Sequence, residues 1–160
     1  MAIQVGDRLP DVTFKSLTSA GIQNHTTADV FGGKKVVLFA VPGAFTPTCS
    51  DTHLPGFQVS SDKILAKGVD TIACVAVNDV FVLDAWGKAR NIGDDITLLS
   101  DGNGDFANAA DLTLDLGAIG LGTRSKRFAM IVDDGVVSYL GVEPGKDVGV
   151  SSADAVLAAL

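Results

Sequence analysis

The chain holds two cysteines, Cys49 and Cys74, and two histidines, of which His53 stands one helical turn after Cys49. A thiol attacks electrophiles only as thiolate, so the first question is what would favour a charged sulfur at either position. Cys49 closes the stretch Pro42-Gly43-Ala44-Phe45-Thr46-Pro47-Thr48-Cys49, with Thr46 at an N-cap position and Pro47 at the first helical position. A helix is expected to start here with Cys49 in its first turn, where unpaired N–H groups and the positive dipole end favour the anion. Most lone cysteines are small buried hydrophobes, and cap geometry by itself leaves both readings open. A single cysteine with a single histidine gives too few ligands for zinc, so His53 reads as a supporting or interface group rather than a metal ligand or base. Cys74, between Ala73 and Val75 in an apolar run, reads first as a core thiol.

The elements that must position these groups follow from the apolar pattern. Val36 to Val41 is short, β-branched and bounded by Gly32-Gly33 and Pro42-Gly43, which suits a buried strand leading into the Cys49 turn. From Thr48 a helical pattern runs to Gly68 with a kink expected at Pro55. Val69 to Val77 is a second buried strand. Asp79 caps a helix with Val82, Ala85, Trp86 and Ala89 on its apolar face, ending at Asn91 to Gly93, and Ile96 to Leu99 is a third strand. Nearer the start, Val12 to Phe14 suggests a strand, Ser16 to Thr27 a hairpin or loop, and Thr27 to Phe31 a short helix. Phe106 to Leu116 suits a loose-ended helix followed by a flexible glycine run, Gly117 to Gly122. That run follows a helix-like segment and lacks the dinucleotide fingerprint, which disfavours a nucleotide site. Asp133-Asp134-Gly135 between two apolar runs predicts a hairpin, and Ser151 to Asp154 caps a terminal helix. Strands alternating with helices and then a hairpin predict an α/β layered fold with a central mixed β-sheet flanked by helices, as one domain over residues 1–160.

Composition bounds the function without naming it. A length of 160 residues, 47% of them hydrophobic, supports a sizeable core without disulfide staples. A formal charge of −7 argues against nucleic-acid or anionic-membrane partners. Met1-Ala2-Ile3-Gln4 has neither a basic nor an apolar leader region, and two cysteines suggest thiol chemistry in a reducing compartment. A cytoplasmic protein is expected, or an organelle form whose transit peptide has been removed.

The spacing Pro42-x-x-x-Thr46-x-x-Cys49, continued by Ser50 and by His53-Leu54-Pro55-Gly56-Phe57, resembles the active-site motif of the type II peroxiredoxins. The likeness extends from Val5-Gly6-Asp7 through Gly122-Thr123-Arg124-Ser125-Lys126-Arg127-Phe128-Ala129 to Val136–Tyr139. It implies a thioredoxin-like fold and a thiol peroxidase that uses no cofactor or metal. Its catalytic residues are implied to be Pro42, which shields the sulfur, Thr46, which hydrogen-bonds the peroxide, the nucleophile Cys49, and Arg124, which favours the thiolate. Arg127 is expected either to brace the site through a carboxylate or to lie exposed. Cys74 stands 25 positions after Cys49 (74 − 49), the spacing of a resolving cysteine in type II relatives. A helix-start sulfur and a mid-strand sulfur should lie apart in the reduced protein, so a disulfide would need local unfolding between Thr48 and Pro55. The resemblance further implies hydrogen peroxide or small alkyl hydroperoxides as substrates, glutaredoxin with glutathione or thioredoxin as reductant, and a homodimer. A peroxide sensor that passes oxidation to a binding partner stays open beside the enzyme. A thioredoxin-type exchanger is disfavoured because Thr46 stands where a C-x-x-C motif would have its first cysteine.

Overall fold

A computed structural model describes residues 2–160. Its main sheet has seven strands in the order β2-β1-β5-β4-β3-β8-β9, where β1 is Thr13–Thr18, β2 Gly21–Thr26, β3 Lys35–Ala40, β4 Thr71–Ala76, β5 Ile96–Ser100, β8 Phe128–Asp133 and β9 Val136–Val142. The centre is parallel, β3 with β4 and β4 with β5, and the flanks are antiparallel, so the sheet is mixed as expected.

Period-two alternation along the central strands builds a core on each face. Val37 and Phe39 of β3, Ile72 and Cys74 of β4, and Ala129 and Ile131 of β8 face one side. They meet α2 (Leu54–Ala66), α3 (Val80–Ala89) and α5 (Ala153–Ala159) there. Val36, Leu38, Ala73, Val75, Met130 and Val132 face the other side and meet α1 (Thr27–Phe31) and α4 (Asp105–Ala109). Both cysteines belong to the first core. Asp134 and Gly135, with φ of 48° and 81°, form the two-residue turn between β8 and β9, the left-handed pair that matches strand twist.

Two expectations need correction. The apolar face of α3 is rotated, with Val80, Leu83, Trp86 and Gly87 buried while Ala85 and Ala89 are exposed. The helix expected to reach Leu116 stops at Ala109, because Asp111 adopts φ of 55°. Leu112 N then donates to Ala107 O and Asp111 N to Asn108 O, a Schellman end with aspartate where glycine is usual. The chain beyond it forms a second, two-stranded sheet, β6 (Thr113–Leu116) with β7 (Gly122–Ser125), and the glycine run is their connection. Just before Pro55, where a kink is expected, the ladder is interrupted by a π-helical segment, Cys49–His53, in which Leu54 N reaches back five residues to Cys49 O. Proline has no N–H to donate to the carbonyl of the preceding turn, and one widened turn there accommodates that loss.

Candidate active site

The turn after β3 is pinned by Ala44 N, which donates to Asn78 Oδ1 at 2.9 Å. Phe45 is held in the left-handed region at φ of 66°, an uncommon position for a bulky residue. A Cβ on Gly43 would lie 3.1 Å from Arg124 Nη1 and 3.2 Å from Thr46 Cγ2, so this close approach favours glycine. Helical geometry begins at Pro47, as expected, with Ser50 N bonded to Thr46 O at 3.0 Å. The Thr46 hydroxyl, however, turns away from the helix and donates to Gly43 O at 2.6 Å.

Cys49 is fully buried at the head of the π-helical segment. Arg127 Nη2 donates to its sulfur at 3.2 Å, and Arg127 Nη1 donates to His53 Nδ1 at 3.0 Å. The other ring nitrogen of His53 lies 2.8 Å from Ser151 O. A carbonyl only accepts, so Nε2 carries the proton and Nδ1 is the lone pair that receives the guanidinium. Burial, with Phe39 and Phe57 packed against the ring, pushes the His53 pKa from 6.5 down to about 4, which keeps the ring in this neutral form. Ser151 is fixed in turn by Glu143, whose Oε2 accepts from Ser151 N, Ser151 Oγ and Gly149 N at 2.8, 2.6 and 2.7 Å. Burial opposes the charged Glu143 carboxylate, but these hydrogen bonds outweigh it and its pKa is lowered. Trp86 supports the same turn by donating from Nε1 to Ser50 Oγ at 2.9 Å.

Arg124 does not reach the sulfur in this arrangement. Its Nε donates to Leu121 O at 2.8 Å and its Nη1 to Pro42 O at 3.5 Å, so it braces the active-site turn from β7. The position expected of Arg124 is taken by Arg127, which is neither exposed nor paired with a carboxylate. Cys74 is a free buried thiol in β4, between Phe39 of β3 and Leu98 of β5 in register. Burial pushes its pKa well up, nearby Cys49 adds to the rise, and Arg127 works against it. Cys49 is likewise a free thiol, so no disulfide joins the two.

A redox-type site on a mixed sheet of this topology finds its match among known proteins. The Redoxin family model matches residues 4–157. The chain is 48% identical over 163 residues to the chloroplastic Peroxiredoxin-2E of Arabidopsis thaliana, covering 99% of this chain and 70% of that protein. It is 45% identical to Peroxiredoxin-2B of the same plant, over 99% of this chain and 98% of the relative. The chain belongs to the type II peroxiredoxins. A solved structure of reduced Prx3 from Vibrio vulnificus, in complex with hydrogen peroxide, superposes with a TM-score of 0.94 at 52% identity and 98% coverage of both chains. The thioredoxin-like peroxiredoxin fold and a thiol-dependent peroxidase activity are thereby established for this peroxiredoxin. Among its described residues no helix is long and apolar enough to cross a membrane.

Of the residues singled out in the sequence, Pro42, Thr46, Cys49 and Arg124 converge on one turn, and Cys74 lies beneath it in the same core. His53 is the supporting group anticipated for it. The roles of Ser151 and Asn78 carried no sequence signal, because each acts through a contact made across the fold, and the Glu143 carboxylate acts only through Ser151 and its neighbour Gly149. Arg127 shares strand parity with Ala129 and Ile131, which the sheet turns toward the Cys49 side.

Proposed function

We propose that Cys49 is the residue that reduces the peroxide, with Arg127 as its charged partner. The observation that carries this reading is the 3.2 Å contact from Arg127 Nη2 to Cys49 Sγ, a permanent cation placed on the sulfur and oriented by His53. The thiolate attacks the terminal peroxide oxygen, an S–O bond forms as O–O breaks, and the leaving oxygen takes a proton to depart as water or alcohol. Cysteine is oxidised to sulfenic acid and the peroxide is reduced. The Thr46 proton is committed to Gly43 O, so its oxygen faces the peroxide as an acceptor of the O–H rather than a donor. Arg127 Nε is buried without a partner, a donor that an oxygen of the bound peroxide would satisfy. Arg124 and Pro42 hold the turn in shape.

The burial of Cys74 favours an external thiol as the resolving reagent, with glutathione and glutaredoxin or thioredoxin as the source. Cys74 takes that role only where the turns after Thr48 unwind. Phe45, 55% exposed on the active-site turn, suits pairing with a second copy as a homodimer. A cytoplasmic location completes the proposal, with a plastid the alternative suggested by the chloroplastic relative, and cell fractionation distinguishes them. Intact mass after one equivalent of hydrogen peroxide tests the central assignment. The parent and Cys74→Ser should gain oxidation and turn over repeatedly with a thiol donor, whereas Cys49→Ser should remain unmodified and inactive. Peroxidase turnover by Cys49→Ser would overturn the assignment, and a single stoichiometric oxidation that no donor reverses would favour the sensor instead.

A further inference from the structure

A ring of contacts begins and ends on Arg127. Its carbonyl accepts from Glu143 N at 2.9 Å, and Glu143 Oε2 accepts from Ser151 N and Ser151 Oγ. Ser151 O lies 2.8 Å from His53 Nε2, and His53 Nδ1 accepts from Arg127 Nη1 at 3.0 Å. Glu143 enters this ring through register, since it follows β9 directly and sits opposite Arg127, the residue just ahead of β8. The segment it holds returns over β9, where a side chain at Gly141 would collide with Val150 O and Tyr139 Oη donates to that same oxygen at 2.7 Å. Gly149 N donates to Glu143 Oε2, and Ser152 N donates to Gly149 O at 3.0 Å. A trans peptide points its carbonyl opposite to its N–H, so with Ser152 N turned into that tight turn, Ser151 O is left facing His53.

We propose that Glu143 is a positioning residue for peroxide reduction, holding Ser151 O where it keeps the His53 proton on Nε2 and so leaves Nδ1 bare for Arg127. The other tautomer, with the proton on Nδ1, would set an N–H against a guanidinium N–H with no acceptor between them. Arg127 would then be pushed off the geometry that serves Cys49 Sγ. A carboxylate suits this task because its charge strengthens each of the three hydrogen bonds it accepts. Burial keeps the His53 ring neutral, so the tautomer rather than the charge is what Glu143 controls. Tyr139 holds the neighbouring Val150 independently, so loss of the carboxylate releases Ser151 O without releasing the whole segment. The inference rests on the pairing of Arg127 with Cys49 proposed above, and adds to it a residue whose side chain bonds neither of them.

The test compares Glu143→Gln and Ser151→Ala with the parent at neutral pH, in a His25→Gln background where His53 is the chain's one histidine. Nitrogen-15 NMR tells a protonated ring nitrogen from a bare one, and stopped-flow mixing with hydrogen peroxide reads single-turnover oxidation of Cys49. Glu143→Gln should move a measurable share of the ring to the Nδ1–H form and slow oxidation on the order of tenfold, part of the roughly 100-fold expected when a preorganised donor is lost outright. Ser151→Ala keeps the backbone bond to Glu143 and loses only the hydroxyl, so both readings should shift the same way by less. That variant carries the test if Glu143→Gln does not fold. Oxidation at the parent's rate overturns the proposal, and so does slower oxidation with the ring signals unchanged, because a merely structural residue alters stability and leaves the tautomer alone. Oxidation of Arg127→Lys at the parent's rate would instead overturn the underlying pairing with Cys49, so the two failures are distinguishable.

Discussion

Acidification from about pH 7 to about pH 5 should destabilise this peroxiredoxin through His53. The ring titrates at 6.5 when unfolded and at about 4 in the folded protein, because burial opposes its charged form. Between those values the unfolded chain binds a proton that the folded one does not, so stability falls as the pH falls. The contribution is fully present above 6.5 and fully lost below about 4. A shift of that size corresponds to roughly 3 kcal/mol in all, of which roughly 2 kcal/mol disappears between about pH 7 and about pH 5. His53→Gln supplies the control, since glutamine keeps a donor and an acceptor but does not titrate. Urea unfolding followed by the fluorescence of Trp86, the chain's one tryptophan, reads both proteins at each pH. The parent should lose roughly 2 kcal/mol more than the variant across that interval. Equal losses would refute the reasoning, because they would mean that the folded protein does not hold His53 neutral against protonation. In the folded protein the ring takes up its proton only as the pH approaches about 4, and there the loss of the lone pair that receives Arg127 Nη1 should slow peroxide oxidation.

The two arginines make separable predictions. Arg127→Lys removes the fork that spans the sulfur and His53, and single-turnover oxidation should slow by roughly 100-fold, as when a preorganised transition-state donor is lost. Arg124→Lys loosens only the turn and should cost far less in the same stopped-flow assay, so the reverse order would transfer the charged role to Arg124. Hydrogen exchange on the oxidised protein should show lost protection concentrated in Cys49–His53 and the residues beside it, while β4 stays protected. A π-helical turn gives way more readily than a strand bonded on both sides. Protected amides in that segment after disulfide formation would remove the proposed unwinding.

Much of the fold was legible because local chemistry and global position agreed. The β-branched runs Val36 to Val41 and Val69 to Val77 became doubly buried strands, and Asp134-Gly135 became the tight turn whose backbone angles those residues tolerate. Helix endings show where this legibility stops. Asn91, with φ of 55°, ends α3 where its residue type announces an end, whereas Asp111 adopts the same φ to end α4 without such a signal. The short helix α4 therefore read as a long one and β6 was lost within it. The position of Cys49 at the start of a helix also followed from Pro47, whose fixed φ suits a first helical position. Which arginine would meet the sulfur did not follow from local sequence. Arg124 and Arg127 lie three positions apart, on opposite parities of an extended chain, and either fits a cation near a thiolate. Only the pairing of β8 with β3 decides which parity faces the core that holds Cys49. His53, Ser151 and Glu143 were likewise joined by closure of the chain over almost a hundred residues. The sequence by itself determined which nucleophile is present and what local turn carries it. The partners that orient it depended on sheet register, because a hydrogen bond between distant residues exists only once the intervening elements have packed.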